Sequence, residues 1–127
     1  MKIISQNITN YGIEVPNDII FRINLAWCNS IDDLKIILQK HENDKIFLDL
    51  PIKRIKPPHN KYNLDDLVPI IQKNKQVKYF AISNVESSND LSIFVEKIPD
   101  WVNLVPKIES PQAVENISDI VSGIPTK

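Results

Sequence analysis

The feature that most constrains the fold of this chain is a strand-like run followed by a helix start, which occurs four times. The strand-like runs cover residues 19–24, 45–50, 77–83 and 102–109, and they mix β-branched with aromatic residues. Their near-continuous hydrophobicity is typical of strands that are covered on both faces. Strands that alternate with helices through short connections predict a parallel sheet, so we expect an α/β protein.

The predicted helix starts share a pattern in three of the four repeats. Ser30, Asn63 and Ser87 are each followed, after two residues, by Asp and then Leu. An oxygen of the first residue can accept a hydrogen bond from an orphan backbone N–H, and the acid complements the helix dipole. The fourth start, Ser110-Pro111, places proline at the tolerated first position, and Gly123 is predicted to cap that helix at its end.

Two segments depart from this regular pattern. Pro69 falls inside the second helix and is predicted to kink it or to delay its start. The longest predicted loop covers residues 55–62, where Pro57-Pro58 marks a stiff surface segment. Met1 to Val15 is predicted to add either an edge strand or a lid.

The composition excludes several classes of function. A chain of 127 residues with a net charge of -1 is long enough for a single domain, and it lacks the basic surface of a nucleic-acid or membrane-surface protein. No apolar stretch approaches the roughly 18 residues that span a bilayer, and the N-terminus does not resemble a signal peptide. Cys28 is alone, so neither a disulfide framework nor a zinc site is expected. We therefore expect a cytoplasmic protein.

Polar side chains occur late in the predicted strands, where an apolar core would be expected. Lys107 and Glu109 share one face at the end of the fourth strand, because residues i and i+2 of a strand point the same way. Arg22 and Asn24 share a face of the first strand, and Asp49 shares a face with Phe47 in the second. Catalytic groups lie at this carboxyl end in barrels of alternating strands and helices. The alternative is a structural ion-pair cluster of these charges.

Other candidate residues favour structural interpretations. Lys53 and Arg54 follow the second strand and are predicted to be solvated loop charges. His41 lies at a helix end and His59 in the proline loop, so both are expected at the surface. Trp27 and Trp101 flank strands, and their side chains are predicted to pack against the rest of the protein. Ser83 is the last residue of the third predicted strand.

In this order, these residues resemble the catalytic barrel of pyruvate kinase. Arg22-Ile23-Asn24 resembles the Arg-Leu-Asn that closes an early strand of that family, and Phe47-Leu48-Asp49 resembles its Leu-Leu-Asp strand. Phe80-Ala81-Ile82-Ser83, with the Ser-Asp helix start after it, is similar to the next strand and helix. Leu104 to Val114 resembles the family's Ile-x-Lys-Ile-Glu segment. The resemblance covers roughly residues 19 to 122.

The resemblance implies a role for each of these polar residues. Lys107 would stabilise a transferring phosphoryl group and an enolate oxygen, and Arg22 would meet phosphate. Glu109 would be a ligand of Mg²⁺, while Asn24 and Asp49 would belong to a K⁺ site. The implied activity is metal-dependent enolate or phosphoryl chemistry on phosphoenolpyruvate, pyruvate or a similar small carboxylic acid, as a transferase or a 2-oxo acid lyase. Fixed positive charge beside an oxyanion suits such chemistry.

A complete (β/α)8 barrel runs to about 250 residues, so parallel strand-helix repeats with about four strands predict half of such a TIM-like barrel. Half a barrel exposes two sheet edges, and we therefore expect a dimer or a partner that completes the barrel. The chain is expected to be inactive alone. The alternative function is a non-catalytic binding or assembly domain that keeps the half-barrel fold.

Overall fold

A computed structural model of the protein describes residues 3–5, 14 and 16–125. In this part of the chain, parallel strands form one sheet whose order follows the order of the sequence. The strands are β1 (Ile3–Ser5), β2 (Ile20–Asn24), β3 (Lys45–Leu50), β4 (Val77–Ile82) and β5 (Asn103–Pro106). The α-helices are α1 (Ile31–Lys40), α2 (Leu64–Lys73), α3 (Asn89–Lys97), α4 (Pro111–Glu115) and α5 (Ile117–Ser122).

The structure confirms the predicted α/β fold of parallel strand-helix repeats. Strands β2 to β5 are the four predicted strands, and β1 is an edge strand within the segment Met1 to Val15. The described sheet therefore has five strands rather than four. The lid predicted as the alternative for Met1 to Val15 falls mainly on residues outside the described part of the chain.

The helices cover a single face of the sheet. Phe21 and Ile23 of β2, Leu48 of β3 and Phe80 of β4 pack into one buried cluster with residues of every α-helix. The helix residues of that cluster are Leu34, Ile37, Leu38, Leu67, Ile70, Ile71, Leu91, Phe94, Ala113 and Ile120. A doubly wound sheet has helices on both faces, whereas a barrel has its helices on the outer face alone. A single helical layer over strands in chain order is therefore half-barrel-like.

The second face of the sheet, which carries Ile20, Phe47 and Ala81, has a separate small apolar cluster. Tyr79 and Val105 pack against it, and the rings of Phe47 and Tyr79 stack with their centroids 6.0 Å apart. The cluster contains only strand residues among the described part of the chain. These apolar side chains lie on the face that also carries the polar residues at the strand ends.

Three of the predicted helix caps form as expected. Ser30 Oγ accepts from Asp33 N–H at 3.1 Å, Asn63 Oδ1 from Asp65 N–H at 3.0 Å, and Ser110 Oγ from Ala113 N–H at 3.1 Å. The third predicted start differs, because α3 begins at Asn89 and Ser88 occupies the cap position without a capping bond from its side chain.

Pro69 lies inside α2 without delaying its start. The helix begins at Leu64, directly after the Asn63 cap, and continues to Lys73. Leu67, Ile70 and Ile71 are buried on the side of the sheet, whereas Pro69 is exposed. The packing of the apolar face therefore outweighs the lost backbone donor.

The predicted helix after Ser110 is divided at Asn116. Asn116 Nδ2 donates to Glu86 O at 2.9 Å, so this residue is tied to the loop after β4. Gly123 ends α5 as predicted, but its φ of -80° is not left-handed. A Cβ built at Gly123 would lie 3.0 Å from Ser88 Cβ, so close packing explains the glycine better than backbone conformation does.

His41 is not at the surface, and that prediction was wrong. The residue is 3% exposed, and its ring stacks on Phe21 with the centroids 4.1 Å apart. Nδ1 lies 2.9 Å from Asp44 Oδ2. His41 caps the end of α1, and its contact with Phe21 of β2 makes this polar residue part of the core. Trp27 and Trp101 are only partly packed, with exposures of 40% and 37%.

Candidate functional site

The candidate site lies at the carboxyl ends of the strands, on the second face. Arg22 on β2, Asp49 on β3, and Lys107 and Glu109 just after β5 form a group that we call the charge cluster. Asp49 is the Cα partner of Asn24, so the ends of β2 and β3 are in register at this point. Lys107 N–H donates to Ile82 O at 2.9 Å, which holds its side chain beside the end of β4.

Asp49 is the centre of the cluster. Its Oδ2 accepts from Arg22 Nη2 at 2.6 Å and from Arg22 Nε at 3.1 Å. Lys107 Nζ donates to Oδ2 at 3.1 Å and to Oδ1 at 3.3 Å. The carboxylate is therefore bonded by two cations, one on the neighbouring strand β2 and one in the segment just after β5. Such charge-assisted hydrogen bonds are shorter and stronger than those between neutral groups.

Lys107 has two further neighbours. Its Nζ lies 3.3 Å from Ser83 Oγ, the hydroxyl that follows β4, and 3.7 Å from Glu109 Oε1. The other oxygen of Glu109, Oε2, accepts from the backbone N–H of Asn84 at 2.7 Å. Side chains or backbone groups from the ends of β2, β3, β4 and β5 therefore meet at one place.

Exposure changes across the cluster. The side chain of Asp49 is 3% exposed, whereas those of Arg22, Lys107 and Glu109 are 22%, 30% and 38% exposed. The two cations therefore keep part of their surface accessible while their shared carboxylate is covered. The formal charges of the four residues cancel, and the most exposed of the four side chains is the Glu109 carboxylate.

Asn24 and Asp49 do not fit a K⁺ site well as they stand. Asn24 Oδ1 accepts from Ala26 N–H at 3.0 Å and caps the short 3-10 turn Leu25–Trp27. Both oxygens of Asp49 already accept hydrogen bonds from Lys107. Two cations are already bonded to Asp49, and their charge opposes the approach of a third cation to the same carboxylate.

Glu109 fits Mg²⁺ better. It is the more exposed carboxylate of the cluster, and Mg²⁺ commonly takes one or two protein carboxylates, with substrate oxygens and water filling the other positions. Among the described residues, no three His, Cys, Asp or Glu side chains are grouped as a complete metal site. A metal at Glu109 would therefore depend on oxygens of the substrate.

Asn84 is the residue at this site that the sequence did not single out. Its φ of 55° is left-handed, and its side chain Nδ2 donates to Ile52 O at 2.9 Å. Asn is enriched in that conformation, so an Asn directly after a strand end was the available signal. Lys53 and Arg54, predicted as loop charges, lie beside Asp90 and Trp27 respectively.

A scan against protein-family models found no match to this chain. A search of curated proteins found none either. Among the described helices, none has the length and apolar character needed to cross a membrane.

Proposed function

We propose that this chain is a pyruvate kinase-like barrel domain that binds phosphoenolpyruvate, pyruvate or a similar small carboxylic acid at its charge cluster. The observation that carries the proposal is the convergence of Arg22 and Lys107 on Asp49 at the carboxyl ends of parallel strands. Active sites of barrel enzymes lie at this end. Two partly exposed cations held by one buried carboxylate form a preorganised site for an oxyanion.

Each residue of the cluster has a chemical role in this proposal. The Lys107 ammonium stabilises negative charge on an enolate or phosphoryl oxygen, and Arg22 binds a carboxylate or phosphate group. Asp49 orients both cations. Glu109 would hold Mg²⁺, which supplies positive charge for substrate oxygens when it is bound. K⁺ is not carried into the proposal, because Asn24 and Asp49 use their oxygens elsewhere.

The proposal includes the setting of the domain. We infer a cytoplasmic protein that associates with a second copy or with a partner completing the barrel, and that has no turnover alone. Transferase or 2-oxo acid lyase chemistry would follow once the remaining strands are supplied.

One observation favours a second candidate function, a non-catalytic binding or assembly domain. Both oxygens of Asp49 are already bonded to protein cations, which is also what a purely structural ion cluster requires. In that case Arg22 and Lys107 would stabilise the sheet end without meeting a ligand.

Calorimetric titration with oxalate in the presence of Mg²⁺ separates the two candidates, because oxalate is a planar mimic of an enolate. We expect the wild-type chain to bind, and Lys107→Met to lose binding by at least about tenfold, since it keeps the stem but removes the charge. Lys45→Met is the matched control. Lys45 starts β3 and alternates with Phe47 and Asp49, so it lies on the same face at the opposite end.

Thermal unfolding of the same variants completes the experiment. If the proposed function is correct, we expect Lys107→Met to weaken oxalate binding while it changes the thermal stability only a little. If Lys107→Met binds oxalate as the wild type does, or if the wild-type chain does not bind oxalate, the proposed function is wrong. The non-catalytic function is then the one that remains.

A further inference from the structure

Asn84 joins the loops that follow three neighbouring strands. Its backbone N–H donates to Glu109 Oε2 at 2.7 Å, beyond the end of β5. Its side chain donates to Ile52 O at 2.9 Å, in the loop after β3. Asn84 itself comes two residues after the end of β4. One donor of Asn84 is therefore directed at the charge cluster and the other at the loop after β3.

We propose that Asn84 is a positioning residue that holds the Glu109 carboxylate beside Lys107 through its left-handed backbone. What Glu109 then does, binding Mg²⁺ with an acidic substrate, rests on the proposed function. The hydrogen bond itself does not depend on it.

The left-handed conformation is the central element of the proposal. The chain leaves the ladder of β4 at Asn84, where φ is 55°, and Val85 N–H donates to Lys107 O at 3.3 Å in its place. The Asn84 N–H is therefore available to bond Glu109. Asn adopts this region at modest cost, whereas a β-branched residue does so only under strain.

The consequence for Glu109 is a restricted side chain. A Glu that is 38% exposed would otherwise sample several rotamers. With Oε2 bound to Asn84 N–H, Oε1 is left 3.7 Å from Lys107 Nζ. The carboxylate is thus oriented before any ligand arrives, which lowers the ordering cost of binding.

The bond from Asn84 Nδ2 to Ile52 O has a supporting role. It fixes the turn after β3, where Lys53 is also left-handed with φ of 58°. Loss of this bond alone should loosen the loop without releasing Glu109, because the backbone N–H is unaffected.

Three substitutions separate these contributions. Asn84→Gly keeps the left-handed conformation and the N–H but removes the amide, and Asn84→Asp keeps the conformation while removing the side-chain donor. Asn84→Val disfavours the conformation itself. We expect oxalate affinity in the presence of Mg²⁺ to stay within about threefold for Asn84→Gly and Asn84→Asp, and to fall about tenfold for Asn84→Val.

A readout that does not depend on ligand binding is the backbone amide of residue 84 in NMR spectra. We expect this amide to be protected from hydrogen exchange in the wild type and in Asn84→Gly, and to lose protection in Glu109→Ala. Glu115→Ala, which changes an exposed acid on α4, should leave it unchanged.

The outcomes distinguish this proposal from the proposed function. If the wild type binds no oxalate but the amide responds to Glu109→Ala, the proposed function fails and the positioning stands. An amide that is indifferent to Glu109→Ala overturns the positioning. So does an Asn84→Val variant that folds and binds oxalate like the wild type. Should Asn84→Val not fold, a large loss of affinity in Asn84→Gly would overturn the backbone role instead.

Discussion

At the scale of single residues, Asp49 carries the most demanding environment in the charge cluster. Its carboxylate is 3% exposed and is bonded by both Arg22 and Lys107. A buried charge is costly unless it is paired and hydrogen-bonded, so the three side chains depend on each other. The two cations can still be solvated in part, whereas the carboxylate cannot.

Replacement of Asp49 by Asn should therefore destabilise the protein. Asp49→Asn removes the charge that pairs with two cations, and we expect the free energy of unfolding to fall by about 1–3 kcal/mol. Urea denaturation measures this change. Glu42→Gln, which neutralises an exposed acid after α1, is the control and should shift stability by less than about 0.5 kcal/mol. Equal stability of Asp49→Asn and wild type would show that the ion pairs contribute nothing net.

Cys28 offers a second prediction at this scale. Burial raises the pKa of its thiol, while hydrogen bonds with Tyr62 and with the Ser30 backbone oppose the shift. The folded protein should react with iodoacetamide at pH 8 at least about tenfold more slowly than the protein in urea, because the thiolate is the nucleophile. Mass spectrometry of timed samples measures the rate. Comparable rates in both states would contradict the burial.

The same shift has a defined effect on stability. Because the pKa is raised in the folded state, the contribution of Cys28 is complete below the unfolded pKa of about 8.5 and is lost as the pH rises through the folded pKa. We expect the wild type to lose stability as the pH rises into the alkaline range, and Cys28→Ala to lose less; unfolding at a series of pH values measures this. If the free energy of unfolding depends on pH in the same way in both proteins, Cys28 does not contribute to the alkaline loss of stability.

At the scale of the elements, the contact between α5 and the start of α3 explains Gly123. Ser88 N–H donates to Asp119 Oδ2 at 2.8 Å, and Ser88 Oγ donates to Asp119 Oδ1 at 3.0 Å. These bonds hold Ser88 Cβ in place, 3.0 Å from where a Cβ on Gly123 would lie. The glycine therefore permits two helix ends to approach each other.

Gly123→Ala should destabilise the protein by about 1 kcal/mol, since the crowding outweighs the entropy that alanine removes from the unfolded chain. Thermal denaturation measures the effect. In a Ser88→Gly background, where the opposing Cβ is absent, the same substitution should cost less. If the cost is equal in both backgrounds, the crowding with Ser88 is not its cause.

At the scale of the whole molecule, apolar side chains remain exposed on the last two helices. Val114, Ile117 and Val121 are 60%, 47% and 59% exposed, at spacings of three and four residues along α4 and α5. Exposed apolar side chains can contribute to a contact surface, and we expect these three to do so. The expected association of the domain would have such a surface available beside its helical layer.

Sedimentation velocity tests that expectation. We expect the wild-type chain to associate with a second copy as its concentration rises, and Val121→Lys to weaken the association. Ile36→Lys is the matched control, because Ile36 is 51% exposed on α1. We expect this substitution to leave the association unchanged. A wild-type chain that stays monomeric throughout the concentration series would exclude self-association, although a different partner could still complete the barrel.

The alternation of elements and most helix starts could be predicted from the sequence. Ser30, Asn63 and Ser110 cap helices as predicted, because capping depends on a few adjacent residues. The position of Arg22, Asp49, Lys107 and Glu109 at one end of the sheet also followed from the sequence, since parallel strands end at the same edge.

The pairing of those charges and the burial of particular polar residues depend on the three-dimensional packing of the chain. Whether Asp49 meets one cation or two depends on side chains 27 and 58 residues away in the chain, which no local pattern specifies. The burial of His41 against Phe21 and the bond from Asn84 to Glu109 arise in the same way. Local propensity acts over a few residues, whereas the packing of distant strands and loops sets the environment of each side chain.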